Sequence, residues 1–110
     1  MSAVTTHVLD TARGQPAAGV PVSLERLDVA LTTLADGVTD TDGRIGELGP
    51  DRLVPGAYRI TFDTDAYFAD AGQTGFFPEV SIAFTITDAD EHYHVPLLLS
   101  PYGYSTYRGS

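Results

Sequence analysis

The stretch His92-Tyr-His-Val-Pro-Leu-Leu-Leu-Ser-Pro-Tyr-Gly-Tyr-Ser-Thr-Tyr-Arg-Gly-Ser110 decides the fold of this chain. Its first nine residues alternate as expected of a strand with one buried face. The face predicted to be buried carries Tyr93, Val95, Leu97 and Leu99. The opposite face carries His92, His94, Pro96, Leu98 and Ser100. Because polar and apolar side chains are mixed on this second face, we expect it to pack against another subunit, with the His side chains in a cleft at the seam.

Short β-rich runs separated by turn residues fill most of the remaining chain. The runs predicted to be strands are residues 4–9, 20–27, 31–38, 44–48, 57–62, 80–87, 92–100 and 104–107. We expect 80–87 and 92–100 to pair across the short connection Asp88-Ala-Asp-Glu91, and 104–107 to form an edge strand. The spacing of these runs is typical of a β-sandwich or a barrel.

A single segment breaks the β pattern. Asp63 or Thr64 is a candidate N-cap, acidic residues follow, and Gly72 is a candidate helix stop, so one short helix is predicted over 63–72. Seven or eight strands with one short helix predict a mainly β fold of two packed antiparallel sheets. The 110 residues are predicted to form a single domain spanning 1–110.

Composition excludes several classes of function. The formal net charge is −9 and all six basic residues are Arg. The negative electrostatic field of such a chain repels nucleic acid and anionic membranes, so neither is expected as a partner. The absence of Lys rules out a Schiff base.

The chain has no Cys, which fits a reducing compartment and excludes thiolate chemistry. With no basic leader and no apolar run of membrane-spanning length, we expect a cytoplasmic protein.

Four motifs resemble those of a known family. Thr6-His-Val-Leu-Asp10, Asp42-Gly-Arg44, the His92-Tyr-His-Val-Pro96 strand and the terminal Tyr107-Arg-Gly-Ser110 resemble the transthyretin-related 5-hydroxyisourate hydrolases. The resemblance covers essentially the whole chain. Its most specific element is the terminal tetrapeptide, which separates these hydrolases from the hormone carriers of the same fold.

The resemblance implies a transthyretin-like β-sandwich that assembles as a homotetramer, a dimer of dimers, with active sites at the dimer–dimer interface. It implies hydrolysis of the small molecule 5-hydroxyisourate to 2-oxo-4-hydroxy-4-carboxy-5-ureidoimidazoline in urate catabolism, with no metal and no cofactor. The catalytic residues implied are His7, Arg44 and His94. The substrate-binding residues implied are Tyr107, Arg108, Gly109 and Ser110.

These residue types suit the implied chemistry. Opening a ring at an amide-like C–N bond requires deprotonation of water, stabilisation of charge on the carbonyl oxygen, and a proton for the leaving nitrogen. A His side chain exchanges protons near neutral pH, and the planar Arg fork matches an anionic, urate-like ligand. His92 shares a face with His94, and we interpret it as a structural residue near the site.

Simpler interpretations remain beside these. His94 could be a hydrogen-bonded interface residue, and Arg44 could form an exposed ion pair with a nearby carboxylate. The Asp40–Ile45 segment fits an EF-hand loop poorly, a three-His zinc site lacks carboxylate or Cys support, and no Gly-x-Ser-x-Gly motif is present. The main alternative function is a transthyretin-like module that binds a small ligand in the channel between subunits.

Overall fold

The computed structural model describes residues 2–28 and 32–110, and within them the chain forms nine strands and one helix. The elements in chain order are β1 (Val4–Asp10), β2 (Gln15–Pro16), β3 (Pro21–Arg26), β4 (Thr32–Val38), β5 (Arg44–Ile45), β6 (Gly56–Phe62), α1 (Thr64–Asp70), β7 (Val80–Ile86), β8 (Tyr93–Ser100) and β9 (Gly103–Thr106). The first residue of the predicted 31–38 strand lies outside the described residues. In the described part of the chain, no helix has the length and apolar character needed to cross a membrane.

The strands form two sheets that face each other across one core. In the first sheet the order is β2-β1-β8-β9, with β5 also paired to β1, and in the second it is β4-β3-β6-β7. The prediction of a mainly β, two-sheet fold with one short helix is confirmed. The additional strand is β2, which pairs with the end of β1. Two residues are too few to show an alternating pattern, so this strand left no signal in the sequence.

Alternation along each strand explains which side chains form the core. The inward residues of β8 are the four predicted, and all of them are buried. β3 contributes Val22 and Leu24, and β6 contributes Ile60 and Phe62, again at alternating positions. Full burial of an aliphatic or aromatic side chain of this size stabilises the fold by roughly 1.5–3 kcal/mol. The outer face of β8 is therefore directed away from the core.

The predicted hairpin between residues 80–87 and 92–100 is wrong. β7 pairs with β6 at an edge of the second sheet, whereas β8 lies between β1 and β9 in the first. The connecting segment crosses between the sheets, and the Tyr93 hydroxyl accepts hydrogen bonds from the backbone N–H groups of Thr87 and Asp88, both at 3.0 Å. Because both strands bury apolar side chains in the same core, they face each other across it.

Within residues 2–28 and 32–110, β1 and β8 form the one parallel pair, running in register from Val4 beside Tyr93 to Asp10 beside Leu99. Every other strand pair of the described residues is antiparallel. Alternation of side chains specifies the faces of a strand but not its direction. This pairing sets residues near the start of the chain beside the His-bearing strand.

The helix follows its predicted signals. Asp63 is the N-cap, and its Oδ1 accepts the backbone N–H of Ala66 at 3.0 Å. The helix ends at Asp70, and Gly72 follows with φ of +68°. Tyr67 is buried and donates its hydroxyl to Oδ2 of the buried Asp10 at 2.7 Å. This hydrogen bond holds the helix against the end of β1.

Candidate active site

Two imidazoles lie on the outer face of the first sheet. His94 is a half-buried residue of β8, and His92 is exposed just before that strand begins. The parallel register places Thr5 of β1 beside His94. The Thr5 Oγ1 atom lies 2.9 Å from Nε2 of His92 and 2.8 Å from Nδ1 of His94. One hydroxyl of β1 thus joins both rings.

A tight turn before β5 positions Arg44. Oδ1 of Asp40 accepts the backbone N–H groups of Asp42 and Arg44, both at 2.9 Å. Gly43 in the turn has φ of +75°, and a Cβ at this position would lie 2.3 Å from the carbonyl oxygen of Val8. Only glycine fits such a backbone against its neighbouring strand. The turn therefore holds the start of β5 tightly against β1.

His7 lies beside Arg44, because β5 pairs the two residues directly. Nε2 of His7 is 2.9 Å from the carbonyl oxygen of Asp42. A carbonyl oxygen only accepts, so Nε2 of His7 is the donor and carries hydrogen. His7 is two residues beyond Thr5 on β1 and shares its face of the sheet. The pairing of three strands thus brings His7, Arg44 and His94 to one side of the first sheet.

A cleft of about 410 Å³ opens on this side. Its lining consists of Thr5, Thr6, Arg44, Ile45, Gly46, His92, His94 and Ser110. The volume is within the range typical of small-molecule sites. His7 lies next to Arg44 but does not line this cleft. Two of the three predicted catalytic side chains, together with the last residue of the predicted tail, therefore share one cavity.

The surroundings of His94 disfavour its charged form. Burial is the largest cause, and the positive charge of Arg44 and the neighbouring rings of His7 and His92 act in the same direction, so the pKa of His94 lies below its ordinary value. An imidazole in this environment is neutral at neutral pH. It can therefore accept a proton in the cleft, as a general base must.

The tail is held along the edge of β8. The backbone N–H of Gly109 donates to the carbonyl oxygen of His94 at 2.9 Å. The guanidinium of Arg108 lies 4.4 Å from the centre of the Tyr93 ring and donates to Oε2 of Glu91 at 2.9 Å. The predicted edge strand over 104–107 is present as β9, one residue earlier at each end.

The four tail residues do not all face the same cavity. Ser110 lines the cleft with Arg44, whereas Tyr107 and Arg108 line a second cleft of about 340 Å³ between the edge of β9 and the apolar side chains of β7. His94 borders both clefts. In this arrangement Tyr107 does not reach the cleft of Arg44, and the substrate-binding role of the tail stays a prediction.

Another groove, of about 520 Å³, lies on the outer face of the second sheet. It is lined by Pro21, Val22, Ser23, Asp36, Gly37, Val38, Thr61 and Asp63. It contains no His or Arg, so it offers neither a base active near neutral pH nor a fixed positive charge. The chemistry of the side chains therefore favours the smaller cleft of Arg44 and His94.

No cluster of three or more His, Cys, Asp or Glu side chains suited to a metal ion occurs within residues 2–28 and 32–110.

The site residue that was not predicted from the sequence is Thr5, which contacts the rings of His92 and His94. It precedes His7 by two residues on a predicted strand, so its face could have been predicted. Its pairing with β8 could not, because nothing in the pattern indicated that β1 and β8 are neighbours.

Comparison with known sequences gives one matching family. The model described as "HIUase/Transthyretin family" matches residues 4–109. The mouse protein named 5-hydroxyisourate hydrolase is 48% identical over 113 residues, covering 99% of this chain and 96% of the mouse protein. The protein of the same name from Salmonella typhimurium is 51% identical over 109 residues, covering 97% of this chain and 80% of that protein.

Solved structures agree with this match. The structure of Klebsiella pneumoniae 5-hydroxyisourate hydrolase superposes with a TM-score of 0.87 at 45% identity, covering 97% of this chain and 98% of that one. Sea bream transthyretin in complex with thyroxine superposes with a TM-score of 0.91 at 33% identity, covering 96% of this chain and 93% of that one.

Proposed function

The chain belongs to the HIUase/Transthyretin family, and we propose that it is an enzyme that hydrolyses 5-hydroxyisourate to 2-oxo-4-hydroxy-4-carboxy-5-ureidoimidazoline in urate degradation. The family resemblance and the transthyretin-like sandwich expected from the sequence are both confirmed by the matches. Relatives named 5-hydroxyisourate hydrolase align over nearly the full chain at about half identity. Both the family and the cleft thus support a hydrolase.

The observation that carries the proposal is the pairing of His94 with Arg44 in one cleft. Burial and nearby positive charge keep His94 neutral, while Arg44 supplies a charge that does not titrate near neutral pH. A hydrolase needs both a base for water and a positive group for the developing oxyanion. A protein that only binds a ligand has no need of a neutral base.

The reaction follows from these positions. His94 takes a proton from water as the water oxygen bonds to the carbonyl carbon of the substrate. Arg44 holds the negative charge that develops on the carbonyl oxygen. When the C–N bond breaks, the leaving nitrogen takes a proton from the His94 imidazolium. His7 pairs with Arg44 just outside the cleft, so its part in the reaction is to position Arg44. The water oxygen thus becomes part of the product carboxyl group.

A carrier of small ligands is the second candidate. The observation in its favour is the close superposition with sea bream transthyretin, solved in complex with thyroxine. Against it stand the greater sequence identity to hydrolases and the His and Arg side chains in the cleft. A carrier would bind an aromatic ligand without changing it.

Assembly as a homotetramer, a dimer of dimers, is part of the proposal, as is a cytoplasmic location. Support for assembly comes from β7 and β9, each paired on one side only within the described residues, and from Phe76 and Tyr102, which are 69% and 76% exposed. Free strand edges and exposed aromatic side chains are typical of association surfaces. The lack of Cys supports a reducing compartment.

The test is direct because the substrate can be made in place. Urate oxidase generates 5-hydroxyisourate from urate, and its ultraviolet absorbance is followed with and without the protein. We expect accelerated decay with the native chain, and a kcat roughly 10² to 10⁴ lower with His94→Asn, the usual contribution of an acid–base group. Decay at the spontaneous rate with the native protein would reject the proposed activity.

The same preparation tests the assembly. Sedimentation equilibrium at micromolar concentration should give the mass of four chains for both the native protein and His94→Asn. A monomer in both would reject the tetramer without bearing on the chemistry, and a monomer in the variant alone would mean that the activity loss reflects assembly.

A further inference from the structure

The proposed reaction leaves Thr5 and His92 without a role, although both contact the His94 network. We propose that Thr5 fixes the tautomer of His94 and that Thr5 and His92 together form a path that carries a proton from His94 to solvent. Both line the cleft, and both are positioning residues in this scheme because they act through His94. The inference rests on the proposed function, because it names the route by which the same site releases a proton.

The reaction requires such a release. Of the two protons of the attacking water, one stays on the leaving nitrogen. The other belongs to the new carboxylic acid, which ionises at neutral pH because its ordinary pKa is near 4. One proton per turnover must therefore leave a cleft whose base is half-buried.

Hydrogen-bond counting restricts the protonation of the rings. The Thr5 hydroxyl has one hydrogen and lies within hydrogen-bond distance of Nδ1 of His94 and Nε2 of His92. It can donate to only one of them, so at least one ring must donate to Thr5. If His94 is to accept a proton from water at Nε2, its Nδ1 carries the hydrogen and donates to Thr5. The Thr5 hydroxyl then has its own hydrogen free to donate to Nε2 of His92.

The path moves one proton through three groups. Once the leaving nitrogen has taken the first proton from His94, the new carboxylic acid passes the second to Nε2 of His94. The Nδ1 proton of His94 then passes to Oγ1 of Thr5, and the Thr5 proton passes to Nε2 of His92. His92 then holds both ring protons and releases the one on Nδ1 to water. All three groups end neutral, with hydrogen on Nε2 of both rings. After the product has left, a proton from solvent enters at Nδ1 of His92 and the relay runs back to Nδ1 of His94. Nε2 of His94 then gives its proton to water in the vacated cleft, which restores both first tautomers.

Electrostatics favours this direction. The groups around His94 are His7 on β1, Arg44 on β5, His92 just before β8, and Tyr107 and Arg108 of the tail. Burial and the positive charge of Arg44 lower the pKa of His94, so a proton is held weakly there. His92 is exposed, and water can solvate the charge that arrives on it.

The first experiment uses ¹⁵N nuclear magnetic resonance of the His side chains in the protein without substrate. We expect the native protein to show His94 with hydrogen on Nδ1. Thr5→Val, which keeps the shape and removes the hydroxyl, should lose that tautomer, and Thr5→Ser should retain it. The control is Thr39→Val, which removes a buried hydroxyl bonded to Ala17 and Val20 away from the cleft; it should leave the His94 signals unchanged.

The second experiment measures turnover. Thr5→Val should lower kcat roughly tenfold to a hundredfold, as is typical when a group that orients a functional His is removed, and Thr5→Ser should recover most of it. His92→Ala should lower kcat, and added imidazole buffer should restore it by taking over the proton. Thr5→Val should not respond to imidazole in the same way.

The outcomes separate this inference from the proposed function. A native His94 with hydrogen on Nε2 alone, or an unchanged tautomer in Thr5→Val, would overturn the role of Thr5 whatever the substrate. A loss of activity in His92→Ala that imidazole cannot restore would overturn the path. Absence of turnover in the native protein would reject the function, while the resonance result would still decide the tautomer.

Discussion

The backbone N–H of Gly109 donates to the carbonyl oxygen of His94, and its α-carbon lies against the His94 ring. A Cβ at Gly109 would lie 2.5 Å from Cδ2 of that ring, closer than atoms of this kind approach. The orientation of His94 therefore depends on the absence of a side chain at residue 109. Part of the tail acts on the site through this contact.

We expect Gly109→Ala to displace the His94 ring and to lower kcat by about a hundredfold, the usual effect of a 1 Å error in a reacting group. The melting temperature should change little, because residue 109 contributes no buried side chain. Gly103→Ala is the matched control, since a Cβ there meets only the Ser100 hydroxyl at 3.7 Å. Equal activity in the two variants would show that the ring tolerates the added methyl group.

Deletion of residues 107–110 should reduce activity far more than stability. The deletion removes the Gly109 contact with His94 and an exposed ion pair between Arg108 and Glu91. An exposed ion pair is worth at most about 1 kcal/mol. The kcat/KM of the shortened chain and its unfolding in urea are the two measurements. A chain that unfolds before it loses activity would identify the tail as a structural edge.

The pH dependence of activity should reflect the environment of His94. Because its pKa is lowered, the acid limb of kcat/KM should lie below the ordinary His value of about 6.5. The unfolded chain binds the proton more readily in that window, so stability should also fall as the pH drops through it. Arg44→Gln removes one cause of the lowering, and it should move the acid limb upward.

The imidazole signals of His94, followed by nuclear magnetic resonance across the same pH range, give its titration separately from catalysis. An Arg44→Gln variant with an unmoved His94 titration would mean that the guanidinium does not act on the ring. Arg44→Lys is the control that retains the charge, and its titration should stay close to that of the native protein.

Tyr67→Phe should destabilise the fold by about 2 kcal/mol, because a hydrogen bond to a buried carboxylate is lost. The Asp10 carboxylate is 1% exposed, and the backbone N–H of Arg13 at 3.1 Å would remain as a donor. Urea unfolding at neutral pH measures the change. Tyr102→Phe, at an exposed position, is the control and should unfold at nearly the native urea concentration.

Much of the fold could be predicted because the sequence of a single strand shows by itself which of its faces is buried. Alternation assigned the buried face of β8, and the capping signals at Asp63 and Gly72 located the helix. The neighbours of each strand could not be predicted in the same way. The assumed hairpin of β7 and β8 failed because a short connection can cross the core as easily as it can turn within a sheet.

The site was partly predictable for the same reason. His94 and Arg44 were identified by their motifs, and the structure places them in one cleft. Thr5 was not predicted as a site residue because its contact with His94 depends on the register between β1 and β8, which is a property of the assembled sheet. The separation of Tyr107 from Ser110 into two clefts likewise depends on where the tail crosses the edge of β8.

The parallel pairing of β1 with β8 has a consequence for how the protein folds. The contact between Thr5 and His94 spans 89 residues of sequence, and closing a loop of that length costs on the order of 4 kcal/mol of chain entropy. Contacts so distant in sequence slow folding. During synthesis, β1 cannot pair with β8 until residues 93–100 have emerged, so catalytic competence cannot precede that point in the life of a newly made molecule.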